Sequence, residues 1–229
     1  MNCIYKLLFF TILIVPYSSV KAQYGKITGN PLLDKADKLY KTAHYEEARQ
    51  IFEKVLDENI YDMGYKEWVI AKLGLGSSLL DLGKSKKGAN NIFEADSLKK
   101  ENLELELIAY IYKQRAWAQG IRGYYNKREQ DYKNALQIAF ESEDEFRIAQ
   151  IKIGNISILR RQDLNEALKI AKESATYFNN QKDYFHLSLA YSNLFYVYQD
   201  LGAYEIAEKV LARAVEINEE LNNRDLMAN

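Results

Sequence analysis

The sequence predicts an all-α fold built from paired helices, and three observations lead to this prediction. Only two of the 229 residues are proline and none follows Pro31, whereas an average composition would contain about eleven. Turns recruit proline at defined positions, so its scarcity favours long helices over a loop-rich β protein. Hydrophobic residues make up 48% of the chain, which excludes intrinsic disorder. Finally, apolar residues recur at helical spacing on both sides of short glycine turns.

Residues 1–22 have the pattern of a secretory signal peptide. Lys6 precedes an apolar run of nine residues that ends at Val15, and Val20 and Ala22 provide small residues before a cleavage point. A membrane-spanning helix needs about 20 apolar residues, so this run favours a cleaved signal over an uncleaved anchor. We therefore expect an exported protein, periplasmic or secreted, with no membrane span in the mature chain.

Export has consequences for composition. Cys3 is the only cysteine and would be removed, so the mature chain would have no disulfide, thiol nucleophile or thiolate metal site. Loss of Lys6 and Lys21 would shift the formal net charge from −1 to −3. This near-neutral charge argues against nucleic-acid binding, which normally requires a basic surface. Residues 23–30 are expected to form a linker.

The clearest repeat unit lies near the C-terminus, where two amphipathic helices flank a tight glycine turn and form a helical hairpin. Its apolar stripes are Leu194, Tyr198 and Leu201 before Gly202, and Ala207, Leu211 and Ala214 after it. This unit resembles the tetratricopeptide repeat (TPR), in which small residues at such offsets let paired helices approach closely. The resemblance implies a right-handed superhelix with a concave groove lined by the first helix of each hairpin.

The same offsets recur upstream with a period longer than the 34 residues of the standard repeat. Ala48 and Gly88 are 40 residues apart, as are Ala167 and Ala207. Residues 31–222 are therefore predicted to hold about five repeats with long helices of roughly 17 residues each.

Two registers compete for the third repeat. Even spacing places its turn at Gly120–Gly123, with Arg128 where a small residue belongs. The alternative rests on the similarity of residues 130–142 to residues 162–174, which agree at eight of thirteen positions. We favour this shifted register, which requires one helix from about Glu101 to Glu129 that tolerates two internal glycines.

The C-terminal residues 223–229 resemble the opening of a sixth repeat, and a short tail is the alternative. Solenoids normally end in a capping element with a polar outer face. We therefore expect Val210, Ile217 and Leu221 to lack full cover, so that a partner, a missing repeat or self-association through this end would supply it.

No catalytic constellation is evident, so we expect neither enzymatic activity nor a cofactor. His44 and His186 have no ligand-like spacing and are interpreted as turn or surface residues. The glycines within Leu73–Gly76 precede no Lys-Ser/Thr pair, so they are interpreted as packing residues and not as a phosphate loop.

The TPR resemblance assigns groove positions residue by residue. Rigid aromatic side chains with polar neighbours are typical of recognition surfaces. The candidate partner-binding residues are Trp117, Tyr124, Lys152, Ser192, Tyr196 and Gln199, with Leu73, Ser77 and Ile156 at further groove positions. The clamp lysine and asparagine of chaperone-binding family members are replaced by Leu33 and Asp37.

The function that this resemblance implies is binding of a protein or peptide outside the cytoplasm. A signal sequence followed by long-helix repeats is similar to the periplasmic sensor regions of bacterial signal-transduction proteins. The alternative is a periplasmic protein that binds a small molecule through an aromatic concave groove.

Overall fold

The computed structural model describes residues 30–58, 63–97 and 103–227, and every regular element within these ranges is an α-helix. The helices in chain order are α1 (Pro31–Lys41), α2 (Tyr45–Glu58), α3 (Tyr65–Asp81), α4 (Ser85–Asp96), α5 (Leu105–Ile121), α6 (Tyr125–Glu141), α7 (Glu145–Gln162), α8 (Leu164–Asn180), α9 (Tyr184–Asp200) and α10 (Tyr204–Met227). The predicted all-α fold of about five helical hairpins is confirmed.

Each odd-numbered helix packs against the even-numbered helix that follows it, and also against the even-numbered helix of the preceding repeat. Helices α3, α5 and α7 begin at residues 65, 105 and 145, so the repeat has a constant length of 40 residues here. Each repeat is one hairpin, so repeat 1 is α1–α2 and repeat 5 is α9–α10. The turns inside repeats 1, 2 and 3 contain left-handed residues at the same spacing: Ala43, Gly83 and Gly123, with φ of 62°, 73° and 79°.

This spacing shows that the favoured register of the third repeat was wrong. Helix α5 ends at Ile121 and α6 begins at Tyr125, so the proposed single helix through Glu129 is interrupted by the turn at Gly123. The even-spaced alternative is correct. Arg128 fits at a small-residue position because the facing residue is Gly120, which has no side chain. A Cβ on Gly120 would lie only 2.9 Å from Cδ of Arg128.

The similarity of residues 130–142 to residues 162–174 predicted the wrong register because positions seven residues apart lie on nearly the same face of a helix. Ala135 is the eleventh residue of α6, whereas its counterpart Ala167 is the fourth residue of α8. The matching segments are thus seven residues out of step along their helices. Seven residues are close to two helical turns, so the same stripe faces the core in both registers. Both alanines are fully buried.

The turn at Gly123 gives a direct test of this register. We expect Gly123→Ala to lower the free energy of unfolding by about 1 kcal/mol, because a Cβ is unfavourable at a φ of 79° even in open space. Glu143→Gly, at a turn residue with a φ of 53°, should be neutral or stabilising. Urea unfolding would measure both, and an unchanged stability for Gly123→Ala would contradict the assigned turn geometry.

The core follows the paired helices and depends on small residues where helices meet. Gly74 of α3 packs on the buried Phe52 ring of α2, and Gly76 packs on Ile92 of α4. The interpretation of the Leu73–Gly76 glycines as packing residues is therefore confirmed.

Helix α10 continues through Asn222 and Asn223 to Met227, so the chain does not break where a sixth repeat was expected to open. Ile217 is fully buried, contrary to the expectation that it lacks cover, while Leu211 and Val215 are exposed on the same helix. The predicted signal peptide and residues 23–29 of the linker lie outside the described residues. Within the described part, none of the helices has the length and hydropathy to cross a membrane.

Candidate functional site

The odd-numbered helices line the inner side of a curved array. Consecutive odd-numbered helices contact one another from α1 through α9. The array curves far enough that its first and fifth repeats meet, with the rings of Tyr40 on α1 and Phe185 on α9 only 5.9 Å apart. Residues that are 145 positions apart in the chain thus face one another across the inner side.

Side chains from all five odd-numbered helices converge at this point. The C-terminal ends of α1 and α3 meet the middle of α5 and the N-terminal ends of α7 and α9. We call this cluster the concave centre; its members are Asp37, Tyr40, Lys41, Ser77, Asp81, Tyr110, Lys113, Gln114, Arg147, Gln150, Asp183, Phe185 and His186.

A chain of hydrogen bonds joins α7 to α9. Arg147 Nη1 donates to Gln150 Oε1 at 2.5 Å, and Gln150 Nε2 lies 2.9 Å from His186 Nε2. His186 Nδ1 lies 2.8 Å from Asp183 Oδ2. An amide N–H can only donate, so the imidazole accepts at Nε2 and donates at Nδ1, which is the neutral tautomer.

The pKa of His186 supports the neutral form. Burial lowers this pKa, and the charges of Lys113 and Lys41 lower it further, while the hydrogen bond to Asp183 opposes them. Burial raises the pKa of the Asp183 carboxyl, but its bonds to His186 outweigh this, and its net pKa is lowered. The histidine is therefore uncharged at neutral pH.

Two cations contact one aromatic ring at the middle of the centre. The Lys113 ammonium lies 5.3 Å from the centroid of the Tyr110 ring, and the Arg147 guanidinium lies 4.6 Å from it. Burial lowers the pKa of Lys113 to about 7; repulsion by Arg147 adds to this shift, and Asp81 opposes it. This lysine is therefore partly deprotonated at neutral pH.

The acids of α1 and α3 have closer partners. Tyr40 Oη donates to Asp81 Oδ2 at 2.7 Å, and Lys41 Nζ lies 2.8 Å from Asp37 Oδ2. Burial raises the pKa of Asp37 and of Asp81, against the opposing effect of these partners. Both carboxyls thus have a bonded partner, whereas neither Lys113 nor Arg147 forms an ion pair with a carboxylate in the described part of the chain.

The sequence-predicted site residues are distributed over several places. Trp117 packs partly buried against the core of repeats 1 to 3, and Tyr124 is exposed at the third turn beside Lys127. Leu73 and Ile156 are fully buried core residues, which corrects their assignment to the groove surface. Ser77 does lie in the concave centre, where its Oγ accepts a 2.7 Å hydrogen bond from Gln114 Nε2.

The remaining predicted residues lie on α7 and α9 outside the concave centre. Lys152 is partly exposed and Gln199 is exposed. Ser192 Oγ donates to the Ser188 carbonyl at 3.0 Å. Tyr196 is exposed, and the Arg160 guanidinium lies 5.1 Å from its ring centroid. Binding of a partner by these residues stays a prediction.

Sequence reasoning missed most of the concave centre. His186, expected at a turn or on the surface, is 2% exposed because α7 and neighbouring aromatic rings cover it; His44 does lie at its turn, bonded to Thr42. One available signal was overlooked: Lys113 lies 40 residues from Leu73 and from Ile153, at a position that is aliphatic in repeats 1, 2 and 4.

A second concavity, between α2, α3 and α4, has its charges paired. This pocket of about 310 Å³ includes Arg49, Glu53, Lys84 and Glu94. Arg49 is bonded to Glu53, and Glu94 lies 2.7 Å from Lys72. Across residues 30–58, 63–97 and 103–227, no three histidine, cysteine or acidic side chains are grouped as a metal ion would require.

Comparison with known proteins identifies the fold. BtubC (BKLC) from P. vanneervenii superposes with a TM-score of 0.55 at 20% identity, covering 83% of this chain and 80% of its own. A kinesin light chain from Podosopora anserina with nearly identical TPR-like repeats gives a TM-score of 0.52 at 11% identity, covering 82% of this chain and 94% of its own. No family model matches the chain, and no curated protein matches its sequence. The chain thus has a TPR-like helical repeat fold.

Proposed function

We propose that this protein is a non-catalytic scaffold that binds a protein or peptide at its concave centre. The observation that carries the proposal is the convergence of side chains from five consecutive repeats on one inner surface. Polar groups that point inward between aromatic rings suit recognition of an extended ligand, because they supply hydrogen bonds while the rings supply contact area.

We also propose that the protein acts outside the cytoplasm, in the periplasm, as the sensor part of a bacterial regulatory protein. The support is the pattern of residues 1–22 together with the long-helix repeats. Signal-peptide cleavage can be measured by mass spectrometry of protein from the envelope fraction. A mature N-terminus at Gln23 is expected, and an intact N-terminus in the cytoplasmic fraction would contradict export.

Site-specific photo-crosslinking would test partner binding. A photoreactive phenylalanine analogue placed at Asp81, in the concave centre, should trap a discrete partner in cells. The same analogue at the exposed Lys209 of α10 is the matched control and should trap none. A third position, Tyr196, tests the surface predicted from the sequence.

The outcomes separate the candidate functions. Crosslinked protein from position 81 but not from position 209 supports the scaffold. Equal crosslinking from both positions, or none from position 81 in a folded variant, contradicts it. Failure at position 81 together with thermal stabilisation by a metabolite would favour the small-molecule alternative.

A further inference from the structure

The 40-residue register allows each position of repeat 3 to be compared with its equivalents. Lys113 is equivalent to Leu33 in repeat 1, Leu73 in repeat 2 and Ile153 in repeat 4. All three of these aliphatic side chains are buried, with exposures of 0%, 0% and 5%. Repeat 3 therefore has a cation at a position that repeats 1, 2 and 4 use for the hydrophobic core. In repeat 5, where α9 begins 39 residues after α7, the equivalent residue is Ser192, which is also polar.

Arg147 is a second cation, at the third residue of α7 in repeat 4. The third residues of α3, α5 and α9 are the partly buried Glu67, Leu107 at 4% exposure and His186 at 2% exposure, because α9 begins 39 residues after α7. Arg147 itself is only 3% exposed. Lys113 thus replaces an aliphatic core residue, Arg147 is buried on the neighbouring helix, and both contact the Tyr110 ring.

Neither cation forms an ion pair with a carboxylate of the described residues, and the acid that acts on Lys113, Asp81, is bonded to Tyr40. No described carboxylate forms an ion pair with Lys113, whose contact is with the Tyr110 ring. Arg147 donates to the neutral Gln150, and its buried Nε has no hydrogen-bond partner in the described part of the chain. Burial of cations without paired anions lowers stability, so core packing alone does not explain them.

We propose that Lys113 and Arg147 form the recognition site for an acidic side chain of a bound peptide. Lys113 is partly exposed and contacts the carboxylate of the peptide. Arg147 is buried beneath Lys113 and Tyr110, and it contributes positive electrostatic potential without contacting the peptide. The partly exposed Tyr40 and Phe185 provide aromatic surface around this point. The inference rests on the proposed function, since it assigns the chemistry of the ligand at the same concave centre.

Peptide binding by purified variants tests the proposal. The probes are fluorescein-labelled, C-terminally amidated hexaglutamate and its neutral counterpart hexaglutamine, measured by fluorescence anisotropy. We expect hexaglutamate to bind the unmodified protein, and Lys113→Met to weaken that binding at least tenfold. The matched control Lys209→Met, which removes an exposed charge from α10, should change the dissociation constant less than twofold.

The pH dependence provides a second readout that a purely structural role would not give. Lys113 faces Asp81 on α3, Arg147 on α7 and His186 on α9, and its pKa is about 7. The carboxylate binds the protonated amine, so affinity should fall up to tenfold per pH unit between pH 7 and 8.5. Lys113→Arg should retain binding without this fall, since arginine stays charged.

The proposal would be overturned if hexaglutamate did not bind at millimolar concentration, if hexaglutamine bound equally well, or if Lys113→Met left the affinity unchanged. Acetate or inorganic phosphate could also displace the peptide at a concentration equal to that of the peptide's carboxylates. That result would assign the site to a small anion and would overturn the peptide ligand. Crosslinking from position 81 with unchanged affinity in Lys113→Met would remove this inference alone. Absence of that crosslink would remove the proposed function.

Discussion

Replacement of Gly74 by alanine is expected to lower the free energy of unfolding by about 3 kcal/mol, because the added Cβ would overlap the Phe52 ring. Phe52 is 1% exposed and packed on all sides, so the ring cannot turn away without moving helix α2. Alanine is otherwise the better helix former, which would by itself predict a gain of about 1 kcal/mol. Urea unfolding followed by circular dichroism measures which effect is larger.

The control for this variant is Gly64→Ala. Gly64 is the N-cap of α3 with a φ of −61°, and the nearest atom to an added Cβ is Glu67 Oε2 at 4.0 Å. No overlap arises, so only the poorer capping by alanine, a loss of less than about 1 kcal/mol, is expected. The double variant Gly74→Ala/Phe52→Leu should be more stable than the sum of the two single effects predicts, since a smaller side chain relieves the overlap. Strict additivity, or a stable Gly74→Ala, would show that the two helices are not packed this closely.

Replacement of Lys113 by leucine is expected to raise the free energy of unfolding at pH 7 by about 2 kcal/mol. Leucine is the residue that repeats 1 and 2 have at this position, so it should fill the site without strain. A variant that gains stability while losing binding of hexaglutamate is the result expected of a residue retained for function at a cost in stability.

The pH dependence of this gain follows from the pKa of Lys113. In the folded protein that pKa is about 7, against about 10 in the unfolded chain. Between these values the unfolded chain binds more protons, so the stability of the unmodified protein rises with pH. The advantage of Lys113→Leu should therefore shrink between pH 7 and pH 9.

The matched control is Lys209→Leu on α10, which should alter the free energy of unfolding by less than about 0.5 kcal/mol at every pH. A difference between Lys113→Leu and the unmodified protein that is constant from pH 7 to pH 9 would contradict a lowered pKa. A loss of stability in Lys113→Leu at pH 7 would show that the lysine is a structural residue of the core.

Much of the fold could be predicted from local patterns. Helical stripes such as that of Leu194 and Tyr198 report which face of each helix is buried, and Gly83 and Gly202 mark left-handed turns that only a residue without a Cβ adopts readily. The third repeat shows the limit of this reasoning. A seven-residue offset leaves the buried face unchanged, so sequence similarity between α6 and α8 could not fix the register along the helix axis.

The sequence by itself determined that this protein is an array of helical hairpins with a 40-residue period, because hydrophobic periodicity and turn chemistry act over a few residues. Only the tertiary structure decided that the C-terminal ends of α1 and α3 meet the N-terminal ends of α7 and α9. That meeting depends on the curvature summed over five repeats, which brings Tyr40 to Phe185. The same curvature buries His186 and covers part of Lys113, which lowers the pKa of both side chains.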